Sequence, residues 1–140
     1  MSKIVEYAVH EQVYEHFIMN MLFHPNHHGF LGDHSTVTAL IQLHDIWLDA
    51  SENKEISAAL MLDLSSAFDV VDHRILLQKL RIYKFSEETI AWFQSYLKSR
   101  KLFVQVESKL SDPEVQEDIG VPQGSILGPL IYIIFGNDKI

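Results

Sequence analysis

Apolar positions recur at helical spacing along most of this chain. Val5, Val9, Val13, Phe17 and Met21 stand every fourth residue and predict an amphipathic helix over about residues 2–23. The segment His24-Pro25-Asn26-His27-His28-Gly29 stops it with proline and glycine. A second helix is expected from the N-cap Ser35, with Val37, Leu40, Ile41, His44, Trp47 and Leu48 on one face. Asp72 is placed to cap a third over about residues 73–83, with Ile75, Leu76 and Leu80 inward. Ser86 opens a fourth to about residue 98, and Glu87 and Glu88 suit the positive end of its dipole.

Three stretches break the helical rhythm. Residues 57–64 form a nearly continuous apolar run of strand length, the pattern of a strand buried on both faces, although pattern alone leaves a short helix open. Residues 102–106 alternate as a strand, and residues 116–119 are expected to pair with them across the turn Ser111-Asp112-Pro113. From Gly124 or Ser125 to about Phe135 the chain reads as a buried helix. Pro129 fits best in its first turn, which moves the helix start later than Ser125.

Composition narrows the class. Of the 140 residues 47% are apolar, which suits one modest globular domain or part of a larger one. The absence of cysteine excludes disulfides, thiol catalysis and cysteine zinc sites. No basic segment leads an apolar stretch at the N-terminus, so no signal peptide is expected, and no run approaches the ~20 residues that span a bilayer. An intracellular, membrane-free protein is expected. The net charge is −8; residues 1–56 hold Lys3 and Lys54 against eight acids, a balance of −6, and the rest of the chain carries −2. Such a balance repels a phosphate backbone, which calls for clustered cations. The two small basic groups are Arg74, Lys79, Arg81, Lys84 and Lys98, Arg100, Lys101; solvated helix faces and a strand edge account for both.

Two segments carry candidate chemistry. Ala58 to Leu62 lead into Asp63, with an aromatic ring, Phe68, five residues on. A carboxylate at the end of a rigid apolar strand, beside the Leu64 carbonyl, offers hard oxygens to a divalent ion; alternatively, Asp63 caps the turn at Ser65-Ser66-Ala67-Phe68. Gly120-Val121-Pro122-Gln123-Gly124-Ser125 is a punctuated loop opening an apolar helix. Gly124 permits close backbone approach, Gln123 offers an amide donor and acceptor, and the helix start offers N–H groups to an anion. The adjacent His24, His27 and His28 suggest a metal site, but neighbouring His27 and His28 would splay apart on a strand, and a polar loop explains them.

Leu62-Asp63-Leu64-Ser65-Ser66-Ala67-Phe68-Asp69-Val70-Val71-Asp72-His73 resembles motif A of the reverse transcriptases of non-LTR (LINE-type) retrotransposons, and the loop at 120–125 resembles their motif B. Ser2 to Glu6, Gly29-Phe30, His34-Ser35-Thr36, Trp92-Phe93, Ser95-Tyr96-Leu97 and Phe135 to Asp138 follow the family in order. The resemblance implies an α+β fold, a partial right-hand polymerase that is helix-rich with a small, mainly antiparallel palm sheet. Residues 1–56 would be a fingers-like helical part, and residues 57–140 a partial palm carrying motifs A and B. It also implies RNA-directed DNA synthesis from deoxynucleoside triphosphates on an RNA template and DNA primer, with Mg²⁺ or Mn²⁺. By the same resemblance Asp63 is a metal-binding catalytic aspartate, the Leu64 carbonyl a further metal oxygen, Phe68 the gate against a 2′-hydroxyl, and Gln123 and Gly124 the nucleotide lining. Asp69 and Asp72 match no ligand and read as turn and helix-start residues, and Asp138 falls in a structural Asn-Asp pair.

Leu31 stands where the family usually has an arginine, and Gly136 where it has a bulky apolar residue. The family's acidic motif C hairpin and its thumb are expected beyond Ile140. The chain alone is therefore expected not to polymerise, and the edge of strand 58–64 to promote self-association. The competing expectation is a non-catalytic protein-interaction module descended from such an element.

Overall fold

The computed structural model describes residues 2–98, 100–116 and 118–137. It is helix-rich with a little antiparallel sheet, an α+β arrangement. The elements run α1 (Ser2–Met19), α2 (Thr36–Glu52), α3 (His73–Ile82), α4 (Glu87–Leu97), β1 (Arg100–Leu102), β2 (Gln105–Val106), β3 (Lys109–Leu110), β4 (Glu114–Gln116) and α5 (Leu127–Gly136). Asp138 lies outside the described residues.

The core is helical and centres on α5, whose Leu127, Gly128, Leu130, Ile131, Ile133 and Ile134 are all buried. A helix apolar all round has to be surrounded. Here Val13 and Phe17 of α1, Leu76 and Leu80 of α3, and Ile90, Phe93 and Leu97 of α4 share one apolar cluster with it. Pro129 sits in the first turn of α5, as its missing N–H requires. The helix starts are set by short polar side chains. Ser35 and Thr38 form a reciprocal capping box on α2, Asp72 accepts from the Arg74 and Ile75 amides, and Ser86 accepts from the Thr89 amide.

α1 ends at Met19 rather than near Phe23, and Val5 and Met21 are exposed. A four-residue repeat overshoots one helical turn by about 40°, so Val5 lies about 120° around the axis from Phe17, and Met21, at positive φ, lies past the helix end. Only the middle of the stripe faces the core. Ile75 of α3 is likewise 44% exposed while Leu76 and Leu80 are fully buried.

The chain crosses its own C-terminal region through Asn137, which is 1% exposed. Asn137 Nδ2 donates to the Leu22 carbonyl (2.9 Å), its Oδ1 accepts from the His24 amide (2.9 Å), and the Tyr83 hydroxyl donates to its carbonyl (2.6 Å). This buried amide ties the end of α5 to the loop after α1 and to the end of α3.

The strands form one interrupted hairpin. β1 pairs antiparallel with β4, Arg100 opposite Gln116 and Leu102 opposite Glu114; β2 pairs with β3, Gln105 opposite Leu110. Ser111 joins the two ladders: its amide donates to the Val104 carbonyl (2.9 Å), and its Oγ accepts from the Val104 amide (3.0 Å). The reversal falls after β2, with Glu107 at positive φ. It is not at Ser111-Asp112-Pro113, and the partner of β1 is 114–116 rather than 116–119. Pro113 has no N–H to donate, so it interrupts a returning strand. Ile119 bridges to Asp72 instead.

The largest departure from the sequence reading is at 57–64. The segment forms no strand and is not buried: Ile56 is 99% exposed, Leu60 84% and Leu62 84%. A strand exists only through a neighbour's amides and carbonyls, and no described segment runs alongside. Helix α2 is similar. It has no buried residue, and Val37, Leu40, Ile41, Trp47 and Leu48 all face solvent. His28 and Asn26 hold it by polar bonds: His28 Nδ1 lies 2.9 Å from Thr38 Oγ1 and its Nε2 2.6 Å from Gln42 Oε1, while Gln42 Nε2 donates to Asn26 Oδ1 (2.9 Å). Burial pushes the His27 pKa below its ordinary value. No group of three or more metal-ligating side chains occurs among the described residues. None of their helices is long and apolar enough to cross a membrane.

Candidate functional site

Two loops meet above the N-terminus of α5. The first, residues 65–71, is a run of turns with Ser66 at positive φ and the Asp69 amide donating to the Ser66 carbonyl (2.8 Å). The second, residues 118–126, leads into α5. They are joined by backbone bonds: the Gly120 amide donates to the Val71 carbonyl (2.8 Å), the Val121 amide to the Phe68 carbonyl (2.9 Å), and the His73 amide to the Asp118 carbonyl (3.0 Å).

Two side chains secure the junction. The Gly120 carbonyl accepts from His73 Nε2 (2.7 Å) and from Arg100 Nη2 (2.6 Å). A carbonyl only accepts, so His73 carries its proton on Nε2 in this contact. His73 is buried, and Arg100 also donates from Nε to the Leu97 carbonyl (3.2 Å). Burial lowers the Arg100 pKa. Arg100 is thus an anchored donor rather than a solvated strand-edge charge. Gly120 itself has φ +78°, and a Cβ there would lie 3.3 Å from the Asp69 carbonyl oxygen.

The second loop is shaped from below. Ser125 Oγ donates to the Pro122 carbonyl (2.7 Å) and accepts from the Gly128 amide (2.9 Å), satisfying a donor at the start of α5. The Ile126 amide donates to Glu6 Oε2 (2.9 Å), and Glu6 is buried. A carboxylate at a helix N-terminus is favourable. Gly128 admits no side chain, since a Cβ would fall 2.8 Å from Ser125 Oγ; Gly124, at φ +78°, opens on free space.

This construction brings three of the residues singled out from sequence to one place. Phe68, Gln123 and Gly124 line a pocket of about 330 Å³ together with Pro122, Ser125, Gly128 and Pro129. The Phe68 ring is half-buried, 5.4 Å from the Tyr132 ring and 6.1 Å from that of Phe30. Gln123 Nε2 reaches the Asp69 carboxylate at 3.3 and 3.4 Å. A larger cavity, about 410 Å³ between α1 and α4, contains none of these residues.

Asp63 and Leu64 are not among the residues lining the pocket; both lie exposed on the unpaired segment that precedes the turns. Asp63 accepts no hydrogen bond from a described residue, so it does not cap the 65–68 turn. Asp72 behaves as expected of a helix-start residue, and the Ile75 amide and the Arg74 side chain hold its carboxyl below the usual range. Two-ion chemistry needs several oxygen ligands around paired ions. The described residues alone do not assemble such a centre, because Asp63 has no metal-ligating cluster around it.

Sequence reasoning missed Glu6, His73, Arg100 and the role of Asp69. Glu6 had a signal: it precedes Val13 by seven residues and Phe17 by eleven, so it lies on the buried face of α1. The others had none, because their partners are backbone groups or side chains far along the chain.

The junction generates a prediction. Gly120→Ala combines a disfavoured φ with a contact against fixed backbone, and should cost about 1–3 kcal/mol of stability. Urea unfolding of the two proteins checks the figure, with an unchanged midpoint contradicting it.

Comparison with known proteins identifies the family. The profile of the family described as "Reverse transcriptase (RNA-dependent DNA polymerase)" matches residues 1–139. The chain is 39% identical over 115 residues to a probable RNA-directed DNA polymerase from transposon BS of Drosophila melanogaster, covering 81% of this chain and 12% of that one. It is 36% identical over 115 residues to the probable polymerase from transposon X-element of Drosophila melanogaster, covering 81% and 12%. With the RNA-directed DNA polymerase from mobile element jockey of Drosophila melanogaster it shares 36% over 110 residues, covering 79% and 12%. The chain thus spans about an eighth of the length of these relatives, 12% in each case. No solved structure matches it. Motifs, profile and relatives agree that this chain belongs to the reverse transcriptase family, among the enzymes of non-LTR retrotransposons.

Proposed function

We propose that the chain is the nucleotide-facing part of a retrotransposon reverse transcriptase domain, with residues 1–56 as its fingers-like part and 57–140 as a partial palm. In the intact enzyme it would hold a deoxynucleoside triphosphate against an RNA template and DNA primer. The observation that carries this reading is the meeting of Phe68 with Gln123 and Gly124 around one pocket. A fixed ring beside a sugar excludes a 2′-hydroxyl by bulk. The glycine admits a flat base closely, and the amide offers it a directional contact.

The family depends on divalent metal ions. Asp63, with the Leu64 carbonyl, is the group this chain would offer to Mg²⁺ or Mn²⁺, and its place on an exposed segment leaves it free to do so. We infer that the isolated chain binds nucleotide without extending a primer. Saturable binding of dTTP should weaken about tenfold in Gln123→Ala, the ~1.4 kcal/mol of one good hydrogen bond. Primer extension on an RNA template by the purified chain should be absent. No saturable binding would sink the pocket reading, and extension abolished by Asp63→Ala would sink the inactivity claim.

A second reading rests on a different observation. The exposed apolar residues of 56–64 and of α2 suit a protein-interaction module rather than an enzyme. In either reading a second copy of the chain is the proposed partner for residues 58–64. Light scattering should give a mass that rises with concentration, and Leu62→Lys should lower it. A concentrated monomer with strong amide protection across 58–64 would contradict self-association. Salt-dependent primer-template binding favours the polymerase reading, and its absence favours the module.

A further inference from the structure

We propose that Asp69 is the positioning residue of the pocket: its carboxylate holds the Gln123 amide in one orientation, so that the rim offers an acceptor, Gln123 Oε1, to a hydroxyl or amino group of a nucleotide. The inference rests on the nucleotide reading of the pocket, but its first half stands on geometry alone. Gln123 Nε2 lies 3.3 Å from Asp69 Oδ1 and 3.4 Å from Oδ2, so one amide nitrogen faces both carboxylate oxygens. An ionised carboxylate only accepts. Turning the amide over would set its own oxygen against a negative pair of acceptors, so the chemistry of Asp69 decides which end faces it. Oε1 is then the end turned away from Asp69.

The backbone that carries the carboxylate is itself held. The Asp69 amide is bonded to the Ser66 carbonyl at 2.8 Å, and the Phe68 carbonyl just before it is bonded to the Val121 amide at 2.9 Å. The Asp69 backbone also lies against Gly120, where any Cβ would be 3.3 Å from its oxygen. Asp69 therefore belongs to one loop and Gln123 to the other, and their contact spans the pocket rim. A negative carboxylate and an outward acceptor are both unfavourable to phosphate, which places phosphates away from this edge and a sugar or base group beside it.

The sign of one substitution separates positioning from simple charge. dTTP is titrated into the wild-type chain, Asp69→Asn, Asp69→Glu, Gln123→Ala and the Asp69→Asn/Gln123→Ala double variant, with the thermal midpoint of each recorded. Neutralising a carboxylate near a polyanion should tighten binding if charge alone matters. Positioning predicts weakening by about three- to tenfold in Asp69→Asn at an unchanged midpoint, partial rescue in Asp69→Glu, and a double variant no weaker than Gln123→Ala. Tighter or unchanged binding in Asp69→Asn overturns the proposal. The Gln123 side-chain amide protons, followed by NMR without ligand, report the pair independently and should shift in Asp69→Asn. Unchanged amide signals overturn the proposal even where nucleotide binds. A shift without nucleotide binding in any variant supports the Asp69–Gln123 pair and overturns the nucleotide reading instead.

Discussion

Both polar groups of Gly120 are committed to distant parts of the chain. Its N–H goes to the Val71 carbonyl, and its carbonyl takes donors from His73 on α3 and Arg100 at the start of β1. Two segments far apart in sequence, residues 71–73 and Arg100, therefore converge on one residue. Each of these bonds alone contributes about 1 kcal/mol, and more where the donor is charged. Their joint effect is geometric. They fix the turns carrying Phe68 and Asp69 against the loop carrying Gln123 and Gly124, and α5 continues from that loop into the middle of the core. The pocket is a consequence of this junction, and Glu6 and Ser125 support it from beneath.

The remainder of the molecule divides by whether apolar surface has found cover. α1, α3, α4 and α5 bury a common face, whereas α2 and residues 56–64 leave theirs in solvent. The carboxylate proposed to meet a metal ion lies in that uncovered part, whereas Phe68, proposed to face the sugar, packs against the covered part. Nucleotide contact and metal contact are therefore supported to different degrees by the same chain. The proposed nucleotide pocket is joined to the chain's own core through α5, and a metal site at Asp63 would need further ligands.

Local chemistry was legible in the sequence where the physics is local. Ser35, Asp72 and Ser86 cap the helices they were expected to cap, because a cap and its amides lie within three residues. Pro129 correctly moved the start of α5 later. Phe68, Gln123 and Gly124 were singled out through their motifs, and the structure places all three around one pocket. The 57–64 run was misread because apolar composition states a demand for burial and not whether a neighbour meets it. The hairpin partner was misplaced by counting Pro113 as a turn when it interrupts a strand. His73, Arg100 and Asp69 act on groups 47, 20 and 54 positions away, and no spacing rule reaches that far.

Native-state hydrogen exchange at the Gly120 and Val121 amides tests the central claim most directly. If the junction organises the pocket, both amides will be protected and will open together with the buried amides of α5, and Arg100→Ala will release them while α5 stays protected. Exchange at unprotected rates in the wild-type chain, with α5 still protected, would show that the two loops are not joined and that the pocket has no fixed walls.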